Sequence, residues 1–453
     1  MDKETKNSAQ VTPAHEGGKA PFVWPGMKFA FILLVTCFAA WGISTDLTAP
    51  LVNVFKSVFD MSTVQSSLVQ FAYFGAYFCL AIPAAWINSR LGYKGGVVIG
   101  LSLAAIGALL FFPASKVMTF GMFLAALFVL AGGLSIVETS ANPFIMAMGP
   151  EKTATRRLNF AQAFNPIGSN IGVLAATFFI LPYVHEVKPE EKAAMSPEQL
   201  LDKQSAELGA VMAPYIVLGL FYLFLAICIA MVKIQKRQNI VADSKSGIQR
   251  QPGVFGRLLK NPLYSFGVVA QFCNIAAQSC IWTYIIFYAE DYLHVSKATA
   301  GWWLQFSLIC FLVMRFLMVW IMGIVDPRFL LIIMTGLGAV FTFVGIVSHN
   351  VVGMICIAAL SACISLLFPT IYGIALHGVG PDTKYGSAGL VMSIIGGAII
   401  PVVQGHLRDV SGTAMSFSVV LICFIVICLY GIYALKHDLE VDESNSFDAV
   451  IED

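Results

Sequence analysis

The feature that most constrains this chain is a series of apolar runs, each long enough to cross a lipid bilayer. A spanning helix needs about 20 mainly apolar residues. Hydrophobic residues make up 58% of the 453 residues and charged residues only 12%, whereas soluble domains are about 25% charged. Twelve windows follow one another, at 28–55, 64–87, 95–113, 119–148, 158–184, 211–233, 263–289, 299–324, 327–348, 351–378, 385–404 and 414–436. They predict an all-α integral membrane protein with twelve transmembrane helices.

A basic interval poor in large apolar residues divides these windows into two sets of six. Faint repeats, such as the GPEK turn at 149–152 and the GPDTK turn at 380–384, fall at equivalent places in the two sets, as in transporters built from internal repeats. We therefore expect a disordered tail, a six-helix bundle, a linker, a second six-helix bundle and a second tail, at 1–25, 26–233, 234–262, 263–436 and 437–453.

The basic residues predict the orientation of the chain in the membrane. An even number of spans places both termini on one side. Of 27 Lys and Arg residues, 19 fall on that side and Arg315 lies within a window. The other seven lie on the far side: Lys56, Lys116, Lys188, Lys192, Lys203, Lys297 and Arg408. By the positive-inside rule, both termini are expected to be cytoplasmic.

Several classes of function lack their sequence motifs. GxxxxGK[ST], HExxH and GxSxG do not occur, which argues against nucleotide hydrolysis and against an enzyme. All ten cysteines lie in apolar windows without CxxC spacing, so neither disulfides nor a metal site is predicted. Nucleic-acid binding has no support, since no basic stripe with interleaved aromatic residues is present. Uphill transport would therefore use an ion gradient, and we expect no cofactor besides a co-transported proton.

One carboxylate lies deep within an apolar window. Glu138 is in window four, with Ser135, Thr139 and Asn142 within one helical turn. Acids inside membrane spans are costly and commonly mark substrate or proton pathways. We predict that Glu138 exchanges a proton or accepts hydrogen bonds from a polyhydroxylated solute, with Asn142 beside it. The alternative is a carboxylate that only fixes helix packing.

A second acid, Asp46, lies in window one. It is about 27 Å from the start of that window at 1.5 Å per residue, in the half away from the termini. Because acids within spans often belong to proton relays, we expect a role in proton coupling. The alternative is a partly hydrated acid near the end of the helix.

Amide side chains form two further candidate groups. Gln162 and Asn165 are three residues apart and share a helix face in window five. Window seven carries a stripe at spacings of three, four and four: Gln271, Asn274, Gln278 and Trp282. Amides supply both donors and acceptors, and an indole can cover the apolar face of a sugar ring. The two groups therefore predict a sugar site, although amides also hydrogen-bond between helices merely for association.

Cationic groups are rare within the windows. Arg315, in window eight, is expected to pair with a carboxylate or with backbone carbonyls, in a structural or gating role at least as much as in substrate contact. Asn88, Arg90 and Lys94 lie in the turn between windows two and three. They are expected to form a cytoplasmic latch rather than a binding site.

Six strings of residues carry a resemblance to a known family. They are VETSANPF (137–144), RLNFAQAFNPIGS (157–169), MSPEQL (195–200), AQFCNIAAQSCIWTY (270–284), FPTIYGIAL (368–376) and DTKYGSAGLVMSIIGGAIIP (382–401). With these strings the chain resembles the fucose-galactose-glucose:proton symporters of the major facilitator superfamily. The resemblance implies two pseudo-symmetric six-helix bundles that work by alternating access in a bacterial inner membrane.

The resemblance also implies roles for individual residues. Glu138 takes the place of the family's sugar-binding glutamate, and Gln162 and Asn165 take those of its sugar-contacting amides. The proton-linked aspartate of a fucose permease in this family falls at Ala49, so its task is expected to have moved to Asp46, one turn earlier.

Further along the chain, Phe368 stands where the family has a tyrosine before a proline. The site of this chain therefore lacks the hydroxyl that the tyrosine would supply. We thus predict a proton-coupled symporter, acting as a monomer in the bilayer, that imports a neutral monosaccharide. L-Fucose is favoured, followed by galactose or glucose. Sodium coupling, uncoupled transport and a non-transporting sugar sensor remain as alternatives.

Overall fold

The computed structural model describes residues 21–58, 63–117, 119–180, 196–233 and 253–437, and these are almost entirely helical. The helices are α1 Lys28–Val58, α2 Thr63–Val117, α3 Phe120–Ala147, α4 Ala154–Gln162, α5 Asn165–Phe179, α6 Pro197–Met231, α7 Val254–Lys260, α8 Pro262–Leu293, α9 Lys297–Ile321, α10 Pro327–Val347, α11 Val351–Ile364, α12 Leu367–Ala375, α13 Thr383–Met392, α14 Gly396–Ser411, α15 Thr413–Ser416 and α16 Ser418–Lys436. Short 3-10 turns lie at Pro25–Met27, Glu151–Thr153, Gly380–Asp382 and Ser393–Ile395.

These helices make the twelve predicted spans. Among the described residues, ten stretches are long and apolar enough to cross a membrane. One of them, Phe71–Val117, is 47 residues long and contains two spans, because the chain turns at Gly92, whose φ of 69° lies outside the helical region. Span five, formed by α4 and α5, is not among these ten. The predicted all-α membrane fold is confirmed.

Three spans are interrupted near their middles, which the windows did not predict. Span five is broken after Gln162, span ten after Ile364, and span eleven at Ser393–Ile395. Span five also begins earlier than predicted, at Ala154, and span eleven ends later, at Ser411. Broken helices expose backbone groups, and membrane proteins tolerate them where the break is covered by protein or lines a cavity.

Side-chain caps fix where several spans of the second bundle begin. Asn261 accepts from Tyr264 N, Ser296 from Thr299 N, Asp326 from Arg328 N, and Asn350 from Val352 N and Gly353 N. Such caps satisfy backbone N–H groups that have no partner within the helix. The boundaries of these spans therefore follow directly from local sequence.

The connecting segments agree only partly with prediction. Ser196 and Gln199 form a capping box, and the helix that it starts continues without a break into span six. The last part of the predicted linker forms α7. The predicted disordered tail at 1–25 is too long at its end, because Trp24 N donates to Met148 O and Val23 is buried against the first bundle. The rest of the predicted tails and linker fall at 1–20, 234–252 and 438–453, outside the described residues, so the other domain boundaries stay predictions.

The two bundles touch on one side of the molecule. We call it the terminal side, because α1 begins there and α16 ends there. Arg156 Nε donates to Val319 O at 3.0 Å, and Asn159 Nδ2 to Thr370 Oγ1 at 3.2 Å. Thr155 packs so closely on Gly373 that a Cβ there would lie 2.5 Å from its hydroxyl oxygen. The bundles are therefore closed against each other on the terminal side.

Candidate functional site

Close packing of spans two, three and four buries Glu138. A Cβ added at Gly133 would lie 2.3 Å from Ala104 N, and one at Gly100 would lie 2.7 Å from Val137 N. These glycines allow the helix backbones to come together, as small residues do in membrane bundles. Glu138 is consequently only 2% exposed.

A small recess lies between spans one and four. Its walls are formed by Cys37, Phe38, Trp41, Leu134, Val137 and Glu138. The recess therefore combines a mainly apolar lining with one carboxylate, which is the usual composition of a small-molecule site.

The Glu138 carboxylate is not satisfied by the protein around it. Neither oxygen receives a hydrogen bond of regular geometry from the described residues, although the Asn142 side chain lies against it one turn along. Burying a carboxylate without partners is expensive. A buried group left in this state requires an explanation, and a proton or a ligand that donates hydrogen bonds would supply one.

A chain of hydrogen bonds leads from this acid to the second bundle. Gln162 Nε2 donates to Asn142 Oδ1 at 2.9 Å, and Arg315 Nη2 donates to Gln162 Oε1 at 3.2 Å. All three side chains are buried, and Asn142 Nδ2 has no regular partner among the described residues. The structure thus brings Glu138, Asn142 and Gln162 together, while their roles stay predictions.

Arg315 differs from expectation in its partner. It donates to a side-chain amide oxygen instead of to a carboxylate or a backbone carbonyl, and its guanidinium lies 5.2 Å from the Phe311 ring. The expectation missed this because it considered only charged or backbone partners, whereas the break in span five places Gln162 opposite Arg315.

Spans one and five cross closely beside the recess. A Cβ at Gly42 would lie 2.1 Å from Asn165 O, and Asn165 Nδ2 donates to Phe38 O at 3.3 Å. Asp46, one turn beyond Gly42, is partly buried and lies beside the Ser169 hydroxyl. Asp46 does not line the recess, so the two acids occupy separate surroundings within the first bundle.

Aromatic residues around Glu138 were not identified from the sequence. Tyr73, Tyr77 and Tyr372 all lie near enough to interact with its charge, and Tyr77 Oη has no partner among the described residues. Trp41 lines the recess. Tyr73 and Tyr77 share a helix face, but aromatic residues at that spacing usually indicate core packing.

The amide stripe of span seven lies in the second bundle. Gln271 Nε2 donates to Phe368 O at 3.5 Å. Asn274 is fully buried, and both polar atoms of its side chain lack partners among the described residues. Gln278 is half-buried. Trp282 donates to Ser361 Oγ at 3.0 Å, so its indole is held between helices of its own bundle.

Phe368 lies where the two bundles meet. It is buried and stacks on Tyr372 with ring centroids 6.1 Å apart. Tyr372 Oη in turn shares a short hydrogen bond with Ser387, whose hydroxyl donates to Thr139 O at 2.6 Å. A further polar link between the bundles therefore ends one residue from Glu138.

The polar side chains of the turn between spans two and three form their hydrogen bonds within the first bundle. Asn88 Oδ1 accepts from Ser140 Oγ at 2.8 Å, and Lys94 Nζ donates to Ala230 O and Val232 O at the end of span six. Arg90 is exposed and lies over the Trp86 ring. These contacts brace spans two, three, four and six without joining the two bundles.

Comparison with known proteins agrees with this architecture. The Major Facilitator Superfamily model matches residues 30–269. The L-fucose-proton symporter of Haemophilus influenzae is 37% identical over 90% of this chain and 96% of that protein, and the one of Escherichia coli is 33% identical over 88% and 92%. A glucose/galactose transporter of Brucella abortus is 32% identical over 90% and 94%.

Solved structures give the same result. A crystal structure of the Escherichia coli fucose:proton symporter superposes with a TM-score of 0.82 at 31% identity, covering 90% of this chain and 99% of that chain. A crystal structure of a major facilitator superfamily transporter in the outward conformation matches equally well. The predicted family resemblance is confirmed, and the chain belongs to the Major Facilitator Superfamily.

Proposed function

We propose that this chain is a proton-coupled symporter that imports a neutral monosaccharide, L-fucose first, by alternating access. The names of its relatives support both the sugar and the proton, and the Brucella relative keeps galactose and glucose as further candidates. We further propose that the protein works as a monomer in a bacterial inner membrane with both termini in the cytoplasm.

The observation that carries this proposal is the unsatisfied carboxylate of Glu138 beside Asn142 and Gln162. Sugar hydroxyls both donate and accept hydrogen bonds, so they can serve the carboxylate and the amide N–H groups at the same time. A bare cation would satisfy the carboxylate but would be repelled by the N–H groups of the same site. The site therefore suits a neutral polyol better than an ion.

The closed terminal side defines the direction of access. If that side is cytoplasmic, the sugar reaches Glu138 from outside the cell and leaves only after the contacts of Arg156 and Asn159 with the second bundle have broken. The structural match to a transporter in the outward conformation supports this assignment.

The proton is assigned to the two acids of the first bundle. Glu138 would bind sugar and register its presence, while Asp46, which lies beside Ser169, would load and release the proton. Asp46→Asn should preserve exchange of labelled sugar across the membrane but abolish accumulation. Unchanged accumulation by this variant would reject the role of Asp46.

The direct test uses purified protein in sodium-free proteoliposomes. Adding L-fucose should make the weakly buffered outer medium more alkaline, and galactose, glucose and arabinose should rank below it as competitors. Uptake only when sodium is added would replace proton coupling by sodium coupling. Binding without any uptake of labelled sugar would favour the sensor alternative.

A further inference from the structure

Arg315 belongs to the second bundle but contacts the site of the first. Its side chain is only 6% exposed, and Nη2 donates to Gln162 Oε1 at 3.2 Å. No carboxylate lies within ion-pair distance of it among the described residues. A buried guanidinium without a counter-ion is costly, so a purely structural role gives little reason to keep it there.

The direction of the hydrogen bonds follows from what each group can do. A guanidinium only donates, so the Gln162 oxygen must face Arg315 and the Gln162 NH2 must face Asn142. The Asn142 oxygen accepts that bond at 2.9 Å, which leaves the Asn142 NH2 facing Glu138. Without Arg315, both amides could turn over and exchange donors for acceptors, since the two ends of an amide have nearly the same shape.

We propose that Arg315 is a positioning residue that fixes the donor and acceptor pattern offered to the sugar, and that it does so only while the bundles touch on the terminal side. This inference rests on the proposed function. When the bundles separate to release sugar, Gln162 loses the guanidinium and the two amides can reorient. The site then matches the hydroxyls less well, so affinity falls on the side where sugar must leave.

The first experiment measures sugar binding to the purified full-length protein by titration calorimetry, using L-fucose and epimers that differ in one hydroxyl. Arg315→Gln should weaken L-fucose binding about tenfold or more, as expected for loss of a hydrogen bond to a charged group. The ratio between the affinities of this variant for L-fucose and for the epimers should also become smaller. Arg315→Lys keeps a donor and should retain most of that preference.

A double-mutant cycle identifies the route of the effect. In a Gln162→Ala background, Arg315→Gln should weaken binding no further than about twofold, because the amide through which Arg315 acts is gone. Gln162→Glu gives a second variant that retains an acceptor for Arg315 but has no N–H for Asn142. It should fold and still lose the preference among epimers.

Arg156→Gln is the matched control, because Arg156 also joins the bundles on the terminal side but donates to a backbone carbonyl outside the site. It should alter transport rate and leave the preference among epimers unchanged. The inference is overturned if Arg315→Gln binds L-fucose with wild-type affinity and preference, or if its loss of affinity is equally large in the Gln162→Ala background. Failure of the wild type to bind or move any sugar would instead refute the proposed function.

Discussion

The two bundles present polar groups of different kinds to their interface. In the first bundle, Glu138, Asn142 and Gln162 are joined in sequence, and the chain ends on an acid that lacks partners. In the second, Gln271 and Trp282 are used within their own bundle, and Asn274 is isolated. Pseudo-symmetry of the helices therefore does not extend to the chemistry.

This difference suggests that the two bundles have different tasks in transport. The first bundle holds the ordered hydrogen-bonding site, and the second contributes a cation, Arg315, together with aromatic and amide groups that can close over a bound sugar. Under the proposed function, sugar would bind first to the first bundle and would be enclosed when the second bundle moves, which is how a transporter can link sugar binding to a change of access.

The largest effect is expected at Asn142. Asn142→Leu removes the amide that lies between Glu138 and Gln162, so each of these side chains loses a polar neighbour. L-Fucose uptake should fall about 100-fold, which corresponds to the loss of two hydrogen bonds with charged or buried partners. Asn170→Leu is the control, because within the described part of the chain Asn170 donates to Pro166 O on its own helix. Near-normal uptake by the Asn142 variant would contradict the claim that the first bundle holds the hydrogen-bonding site for the sugar.

At Asn274 we expect effects of intermediate size: a gain in protein stability together with a loss of sugar affinity. Since both of its polar atoms are buried without partners, Asn274→Leu should stabilise the empty protein by about 1 kcal/mol. If Asn274 closes over the sugar, the same variant should bind L-fucose about tenfold more weakly, for loss of one buried hydrogen bond. Thermal unfolding and calorimetry measure the two effects separately, and a stabilised variant with unchanged affinity would place Asn274 in the core.

A smaller effect is expected at Trp282. Trp282→Phe keeps the ring but loses the hydrogen bond to Ser361 Oγ, so stability should fall by about 1 kcal/mol with less than a threefold change in L-fucose affinity. A larger loss of affinity than this would show that the indole contacts sugar directly, which would make the two bundles more alike.

The smallest effect is expected at Asp326, on the surface of the second bundle, and it sets a baseline for the others. Hydrogen bonds from Arg328 hold the pKa of Asp326 below its usual value. The carboxylate therefore stabilises the fold above the ordinary Asp pKa of about 3.9, and this contribution disappears as the pH falls through the lowered folded-state value. Asp326→Asn should be slightly less heat-stable than wild type at pH 7, with the difference shrinking near pH 3.

Much of the fold could be predicted because lipid imposes a simple length rule. The apolar windows located all twelve spans, and local caps such as Ser196 marked helix starts. The breaks after Gln162 and Ile364 each come shortly before a proline, Pro166 or Pro369, which has no N–H to bond back to the preceding turn. The windows did not locate these breaks, because proline alone does not decide the matter: Pro143 and Pro401 lie inside unbroken helices. The change of direction at Gly92, by contrast, falls inside the turn predicted between spans two and three.

The site could be predicted only where burial carries a high cost. Glu138 could be identified because a carboxylate in an apolar window is rare. Gln162 could be identified because it and Asn165 place two amides on one helix face. Trp41 and Tyr77 could not be separated from core aromatics by sequence. The contact between Arg315 and Gln162 depends on how the two bundles meet, which no local pattern encodes.

The central claim is that Glu138 is the group on which sugar binding and proton movement meet. Its most direct test is accumulation of labelled L-fucose in sodium-free proteoliposomes under an imposed pH gradient, with wild type compared to Glu138→Gln and to Glu290→Gln, the same change at a partly buried acid outside the recess. Wild type and Glu290→Gln should concentrate the sugar, while Glu138→Gln should not rise above the outer concentration. Full accumulation by Glu138→Gln would contradict the account.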